Sequence, residues 1–181
     1  MQLPKITAQE ILAETRFFKI EALHLQFSNG VERTYERLPA LGNQGVIVVA
    51  VNESAELMLI REYAAGFHEF QLTLPKGLAE SGEALTEAAR RELAEEIGYT
   101  AANVEFVKNL TLAPGHMGFT INVMFASQLS PHVLPADEPE PPELVRWPLQ
   151  QLDELLAGDQ FREARAIAAI SLCRQRLLDF L

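Results

Sequence analysis

The sequence contains only one cysteine, Cys173, among 181 residues. An intrachain disulfide framework is therefore excluded, and a reducing compartment is expected. No apolar run approaches the roughly 18 residues of a membrane-spanning helix, so no membrane span is expected. The first residues, Met1 to Glu10, lack a basic stretch followed by an apolar run, so no secretory signal is visible. These absences predict a cytoplasmic protein of the globular type.

Positive charge is also scarce. The chain has 15 lysine and arginine residues against 25 aspartate and glutamate residues, which gives a formal net charge of -10. An acidic chain lacks the basic surface that binds a nucleic-acid backbone, so no nucleic-acid partner is expected. It would also repel a bare polyphosphate. A phosphate-containing ligand would therefore need a divalent cation to invert the local field.

The pattern at the N-terminus is that of paired strands. Residues 17–27 and 31–37 partly alternate between apolar and polar side chains, and Asn29-Gly30 between them is a strong hairpin signal. The residues before them are expected to form a turn and a short amphipathic piece. We predict an N-terminal antiparallel β extension over residues 1–42.

The remaining residues, 43–181, mix strand and helix patterns without strict alternation. Gly45 to Val51 is a continuous apolar run, as expected of a strand buried on both faces. Further strands are predicted over residues 56–63, 69–74, 104–112, 121–129 and 144–147. A helix is predicted from Leu85 to Ile97, and Pro148 opens a short helix. This order predicts an α/β (α+β) fold, with a mixed sheet covered by helices.

A long C-terminal helix is predicted from about Gln160 to Leu178. Asp159 stands where its N-terminal cap belongs. The stripe expected to face the core consists of Phe161, Ala164, Ile167, Ala168, Leu172 and Leu178.

Three carboxylates crowd one side of the predicted helix from Leu85. Because each helical residue advances about 100°, Glu92, Glu95 and Glu96 fall within an arc of roughly 100°. They are expected at the rim of a buried stripe formed by Ala89, Leu93 and Ile97. Clustered like charges are destabilising unless a hard cation occupies the arc. The alternative interpretation is a solvated acidic face.

Glycines at fixed positions favour the first interpretation. Gly77 follows a strand end, where a tight turn can direct backbone groups at a ligand, and Gly98 lies where a C-terminal helix cap belongs. Glu83 and Arg91 flank the helix body and are expected to pair across the loop–helix joint.

The spacing from Gly77 through Glu83, Arg91-Glu92-Leu93 and Glu95-Glu96 to Gly98 resembles the complete Nudix box. The only departure is Tyr99, where the family usually has a bulky aliphatic residue. The resemblance implies an α/β/α sandwich. It also implies that Glu92, Glu95 and Glu96 bind Mg²⁺ or Mn²⁺, helped by the backbone carbonyl of Lys76. Glu83 and Arg91 would orient these ligands as part of the catalytic machinery.

Short stretches outside the box resemble the bacterial Nudix enzymes that act on ADP-ribose, NADH and diadenosine polyphosphates. These stretches are residues 27–31, 35–37, 60–63, 138–141, 145–149 and 163–165. The resemblance implies hydrolysis of the pyrophosphate bond of ADP-linked compounds, with release of AMP. It also implies a homodimer in which the N-terminal sheet is exchanged between subunits.

The general base is not fixed by the sequence. Related ADP-ribose enzymes often place a glutamate where this chain has Phe119. The candidates are therefore Glu95 or Glu96 in the box, His116 in a loop between the late strands, or two carboxylates of the acidic, proline-rich segment. Those two carboxylates are Glu138 and Glu140. A second departure is Thr73, where such enzymes usually have a glutamate.

Substrate contacts are assigned to residues that suit phosphate or a base. Arg61 can fork onto phosphate and Tyr63 can stack on adenine. Lys76 can meet a phosphate as a point charge. Arg37 and His116 complete this set. An aromatic wall of three residues is also conceivable, but core packing of its phenylalanines is favoured. These residues are Phe67, His68 and Phe70.

Three other functions are compatible with parts of the sequence. One is a Nudix pyrophosphatase for a nucleoside triphosphate or a diphosphoinositol. Another is a non-catalytic Nudix domain that senses ADP-ribose, although a binding module need not keep Arg91 and the box glutamates. The third is an acidic structural domain, which leaves the spacing of glycines and glutamates unexplained.

Overall fold

Two units make up the chain in the computed structural model, which describes residues 2–40, 42, 44–136 and 139–181. The smaller unit contains the described residues of 1–42 and 111–120, and the larger unit those of 43–110 and 121–181. Glu138, one of the candidates for the general base, lies outside the described residues.

The smaller unit is built on an antiparallel sheet with the order β1-β2-β3. The strands are β1 (Lys5–Glu14), β2 (Lys19–Gln26) and β3 (Glu32–Arg37). In the turn between β2 and β3, Gly30 has a φ of +83°, and the Val31 amide donates to Asn29 Oδ1 at 3.1 Å. The predicted N-terminal antiparallel sheet and its hairpin are confirmed.

The expectation of a turn and an amphipathic piece before residue 17 is wrong, because Lys5–Glu14 forms β1. Every residue of β1 is exposed, so no buried face imposes an apolar alternation on its sequence. The pairing of β1 with β2 also shifts register between Ile6 and Ala8 and between Ile11 and Ala13. These irregularities interrupt the period of two on which sequence-based recognition of a strand depends.

The larger unit contains two sheets. One has the order β7-β4-β9-β8, with β4 parallel to β9 and antiparallel to β7, and the other has the order β10-β5-β6. Their strands are β4 (Gly45–Ala50), β5 (Glu56–Ala64), β6 (Glu69–Thr73), β7 (Lys76–Leu78), β8 (Tyr99–Thr111), β9 (Thr120–Pro131) and β10 (Glu143–Pro148). The helices are α1 (Leu85–Glu96), a 3-10 turn (Leu149–Gln151), α2 (Leu152–Ala157) and α3 (Ala164–Leu178).

Successive side chains of β4 enter two different cores. Ile47 and Val49 pack in a cluster with residues of α2 and α3, whereas Val46 and Val48 pack in a cluster with residues of α1. All residues of β4 are buried, as its continuous apolar run predicted. Helices therefore cover both faces of the sheet region, which confirms the predicted α/β/α arrangement with a mixed sheet.

β8 and α3 begin at positions that differ from the predicted ones. β8 begins at Tyr99 rather than Val104, directly after Gly98, whose φ of +74° ends α1. The prediction that Asp159 caps α3 is wrong. Glu163 occupies the cap, and its carboxylate accepts the amides of Arg165 and Ala166, each at 3.1 Å.

The predicted core stripe of α3 is wrong at three positions, because Ala164, Leu172 and Leu178 are exposed. The buried residues of α3 are Ala166, Ala169, Ile170, Cys173 and Leu177. Burial raises the pKa of the Cys173 thiol to about 11, so the thiol stays protonated near neutral pH.

Membrane-spanning helices are absent from the part of the chain that the structure describes, since no helix there is both long and apolar enough to cross a bilayer.

Replacing Glu163 by alanine is expected to lower the free energy of unfolding by about 1–2 kcal/mol, because two amides of the first turn of α3 lose their acceptor. Urea unfolding measures this loss. Asp159→Ala is the matched control, because it removes the carboxylate that the sequence alone suggested as the cap. Equal losses in the two variants would contradict the assignment of Glu163.

Candidate active site

The segment from β7 to the end of α1 brings the backbone of Gly77 against the side chain of Glu92. β7 pairs with β4, and Gly77 lies opposite Val46 in that pair. A Cβ atom built on Gly77 would overlap the Glu92 carboxylate. Glycine is therefore needed here for a close approach between backbone and carboxylate.

Arg91 connects the loop between β7 and α1 to α1 itself with all five of its N–H donors. Nε and Nη2 donate to the two carboxylate oxygens of Glu83, each at 3.0 Å, and Nη2 also donates to the Leu78 carbonyl at 2.9 Å. Nη1 donates to Glu92 and to Glu95, each at 2.9 Å. The predicted pairing of Glu83 with Arg91 is confirmed. These hydrogen bonds lower the pKa of Glu83 and raise that of Arg91.

Glu96 is the box carboxylate with the most strongly perturbed environment. Only 7% of the residue is exposed, and its carboxylate accepts the backbone N–H of Lys76 at 2.9 Å. Burial raises the pKa of Glu96 to about 8, with a further contribution from the neighbouring Glu92 and Glu62 carboxylates, while the amide and ammonium of Lys76 oppose the shift. The contact of the Lys76 backbone with the box is thus made by its amide. Its ammonium group pairs with Glu62.

Glu92 and Glu96 are more deeply placed than the sequence suggested. Both were expected at the rim of the helix's buried stripe, but each is only 7% exposed. Ala89, Leu93 and Ile97 are buried as predicted. Glu95 is partly exposed, with 18% of its side chain accessible.

The donor chemistry of this cluster suits a hard divalent cation. Glu83, Glu92, Glu95 and Glu96 offer carboxylate oxygens, the ligands that Mg²⁺ and Mn²⁺ prefer. Glu83, Glu92 and Glu95 share the one guanidinium of Arg91, so negative charge remains, and burial makes the ionisation of Glu96 costly without a cation. Among the residues that the structure describes, no three His, Cys, Asp or Glu side chains form a ready-made metal cage. Arg91 binds three of the four carboxylates instead.

A cavity of about 590 Å³ adjoins Glu96. β5 contributes Arg61, Glu62 and Tyr63 to its wall, so two predicted substrate residues, Arg61 and Tyr63, line the same cavity as Glu96. Arg61 Nε donates to Glu143 at 3.2 Å across the β5–β10 pair. The rest of the wall consists of Phe70, Pro139, Glu140, Pro141, Pro142 and Glu143. Glu140, a candidate for the general base, is therefore a cavity residue.

Arg37 and His116 belong to the smaller unit. The Arg37 guanidinium donates to the buried Glu21 carboxylate, from Nε at 3.2 Å and from Nη2 at 3.1 Å. His116 is exposed, and its backbone carbonyl accepts the Leu38 amide at 2.9 Å.

The expectation that Phe67 and Phe70 pack in the core is wrong. Phe67 is 71% exposed and Phe70 is 62% exposed, because only the second half of β6, from Leu72, enters the core. Sequence reasoning did not assign Phe70 or Glu62 to the site. The sequence feature that could have indicated exposure of Phe70 is the glycine-containing turn at residues 65–68, which places Phe70 near the start of β6, before the strand enters the core.

Comparison with known proteins places this geometry in a family. Residues 4–37 match the NudE-type Nudix hydrolase N-terminal domain, and residues 43–170 match the NUDIX domain. The chain is 42% identical to the ADP compounds hydrolase NudE of Escherichia coli strain K12, over 98% of this chain and 95% of that protein. It is 24% identical to the ADP-ribose pyrophosphatase of Bacillus subtilis strain 168, over 92% and 90% of the two chains.

A solved structure with the same architecture is the crystal structure of an ADP compounds hydrolase. It superposes with a TM-score of 0.94 at 41% sequence identity, and the match covers 99% of this chain and 96% of that one. The family domain spans more than half of the chain, and it includes every residue of the predicted box. The chain therefore belongs to the Nudix hydrolase family.

Proposed function

We propose that this Nudix hydrolase cleaves the pyrophosphate bond of ADP-linked compounds, namely ADP-ribose, NADH and diadenosine polyphosphates, and releases AMP. The observation that carries the proposal is the cavity in which the box carboxylate Glu96 shares a wall with Arg61 and Tyr63. The printed names of the relatives, an ADP compounds hydrolase and an ADP-ribose pyrophosphatase, support the same substrate class. With ADP-ribose, attack of water on phosphorus would yield AMP and ribose 5-phosphate.

Nudix hydrolases generally require a divalent metal, and we propose Mg²⁺ or Mn²⁺ for this chain. Glu92, Glu95 and Glu96 would hold it, with the backbone carbonyl of Lys76 as a further ligand. Bound metal would neutralise the pyrophosphate and activate water. Arg91 holds the carboxylates of Glu92 and Glu95 and is itself fixed by Glu83. Arg91 and Glu83 would therefore orient the metal ligands.

The remaining roles concern protons and substrate. We propose Arg61 and Lys76 for the phosphates and Tyr63 for the base, with Arg37 and His116 as further substrate contacts. Glu95 and Glu96 stay candidates for the general base, as do His116, Glu138 and Glu140. We favour Glu96 over His116 as the general base, because Glu96 lines the cavity whereas His116 is exposed in the smaller unit.

We also propose that residues 1–42 are a dimerisation extension, that residues 43–181 are the hydrolase domain, and that the enzyme is a cytoplasmic homodimer. Support comes from the large apolar side chains that the smaller unit leaves exposed, which include Leu3, Ile6, Ile11, Leu12, Phe17 and Phe18. The unpaired Cys173 suits a reducing compartment. A monomer in sedimentation velocity experiments at micromolar concentration would contradict the dimer.

The substrate assignment is tested with ADP-ribose, NADH, diadenosine triphosphate and ATP, each incubated with Mg²⁺ or Mn²⁺ and analysed by chromatography. We expect AMP from the first three compounds and little turnover of ATP. Preferential cleavage of ATP would favour a nucleoside triphosphate pyrophosphatase. Tight binding of ADP-ribose without cleavage of any compound would instead indicate a sensor.

A further inference from the structure

Two aromatic rings project into the cavity from neighbouring strands. Tyr63 of β5 and Phe70 of β6 are direct cross-strand partners, with ring centroids 6.1 Å apart and an interplanar angle of 67°. They are 53% and 62% exposed, so much of their apolar surface meets no other side chain of the chain. Both line the cavity that reaches Glu96. This pair therefore offers ring surface to a ligand.

The Tyr63 ring is held in place by His68. The Tyr63 hydroxyl and His68 Nδ1 are 2.8 Å apart, and the two rings meet edge to face at 5.8 Å. His68 has a φ of +55°, a left-handed conformation that is unfavourable for residues other than glycine. The hairpin maintains this conformation, and the His68 amide donates to the Ala64 carbonyl at 2.9 Å. The aromatic surface is thus preorganised before any ligand arrives.

The rest of the cavity wall suits a flat neutral ring better than a phosphate. Pro139, Pro141 and Pro142 contribute rigid apolar surface, because their φ angles are fixed. The charged lining consists of the carboxylates of Glu62, Glu96, Glu140 and Glu143 and the single guanidinium of Arg61, which is already paired with Glu143. Without a bound metal such a lining repels phosphate oxygens, and its carboxylates can accept hydrogen bonds from exocyclic amino groups.

We infer that Phe70 and Tyr63 form the stacking surface for the nucleobase of the substrate and that the prolines at 139, 141 and 142 close this base slot. Phe70 would then determine the preference of the site for ligands that carry a nucleobase over ligands that lack one. The inference rests on the proposed function, because it places the base of an ADP-linked compound beside the box carboxylates. The pyrophosphate then lies toward Glu96, and the base lies against the β5–β6 hairpin.

Two exposed phenylalanines on the same hairpin allow a matched comparison. Phe70 lines the cavity, whereas Phe67 is 71% exposed and lies under the Arg162 guanidinium, 5.6 Å from the ring centroid. Phe70→Ala, Phe67→Ala and Phe70→Trp are compared with the unmodified protein. Binding of AMP and of ribose 5-phosphate, which lacks the base, is measured by calorimetry with Mg²⁺ present.

We expect Phe70→Ala to raise the Kd for AMP by about 5- to 150-fold, the range that base–aromatic stacking contributes. Its affinity for ribose 5-phosphate should stay unchanged, and Phe67→Ala and Phe70→Trp should bind AMP like the unmodified protein. Equal AMP affinities for Phe70→Ala and Phe67→Ala would overturn the inference. So would an equal loss for both ligands, which would indicate a general disturbance of the hairpin.

The outcome for the base slot is separable from that for the proposed function. Release of AMP from ADP-ribose by the unmodified protein tests the function alone. The AMP affinities of the phenylalanine variants test the slot alone, since AMP contains no pyrophosphate bond to cleave. Cleavage of ADP-ribose, together with equal AMP affinities with and without the Phe70 ring, would support the proposed function and refute the base slot.

Discussion

Glu96→Gln is expected to lower kcat for an ADP-linked substrate by about 10²- to 10⁴-fold, the range associated with loss of a group that moves protons in the reaction. Glutamine keeps the shape of the side chain and an oxygen that can accept the hydrogen bond from the Lys76 amide. In the unmodified protein Glu96 accepts this bond at 2.9 Å. The fold should therefore survive, with a melting temperature no lower than that of the unmodified protein. Steady-state kinetics and thermal unfolding of the same preparations measure both effects.

Glu87→Gln is the matched control for this experiment. Glu87 lies on the same helix, but its side chain is 61% exposed and pairs with Arg90 rather than with the box carboxylates. Its replacement should leave kcat unchanged. Near-normal turnover of Glu96→Gln would remove Glu96 from the catalytic machinery, and a collapse of its melting temperature would assign it a structural role.

Gly77→Ala is expected to lower kcat/KM by about 10- to 100-fold, as observed when the groups that position metal ligands are disturbed. The new Cβ atom would overlap the Glu92 carboxylate, which is held by Arg91 and is only 7% exposed. The carboxylate must move, because the backbone of β7 is fixed by its pairing with β4. Titration of activity with Mn²⁺ should then need more metal for half-maximal rate.

Gly66→Ala separates this effect from any general cost of replacing a glycine. A Cβ atom on Gly66 would meet nothing within 4 Å, and the position has no positive φ that would strain alanine. Its activity and metal requirement should match those of the unmodified protein. Normal metal dependence of Gly77→Ala would show that the position of Glu92 does not control the site.

The box could be predicted from sequence because its residues interact over short, regular separations. Glu83 and Arg91 are joined through one turn and part of one helix, and the spacing of Glu92 and Glu96 is fixed by helical geometry. The depth of these carboxylates was not predictable, since it depends on how β7 packs on α1. Spacing along the chain carries no information on that packing.

Predictions from the sequence were wrong where a contact distant in sequence, rather than the local residue pattern, determines the structure. Glu163 rather than Asp159 caps α3, and its carboxylate is also the acceptor for the Thr73 hydroxyl at 3.3 Å, 90 residues earlier. β1 escaped detection because it has no buried face. Phe70 looked like a core residue because hydrophobicity alone does not reveal where β6 leaves the core. In each case the deciding partner is distant in sequence or absent from the local pattern.

The single guanidinium of Arg91, with its five donors divided among Glu83, Glu92, Glu95 and the Leu78 carbonyl, has a consequence for how this segment can change through mutation. Loss of any one acceptor frees a donor that the others can recruit, so the effects of substitutions at these positions cannot be independent. Double replacements should depart from the sum of the single ones. The substitutions that each of these positions tolerates should therefore depend on which residues occupy the others.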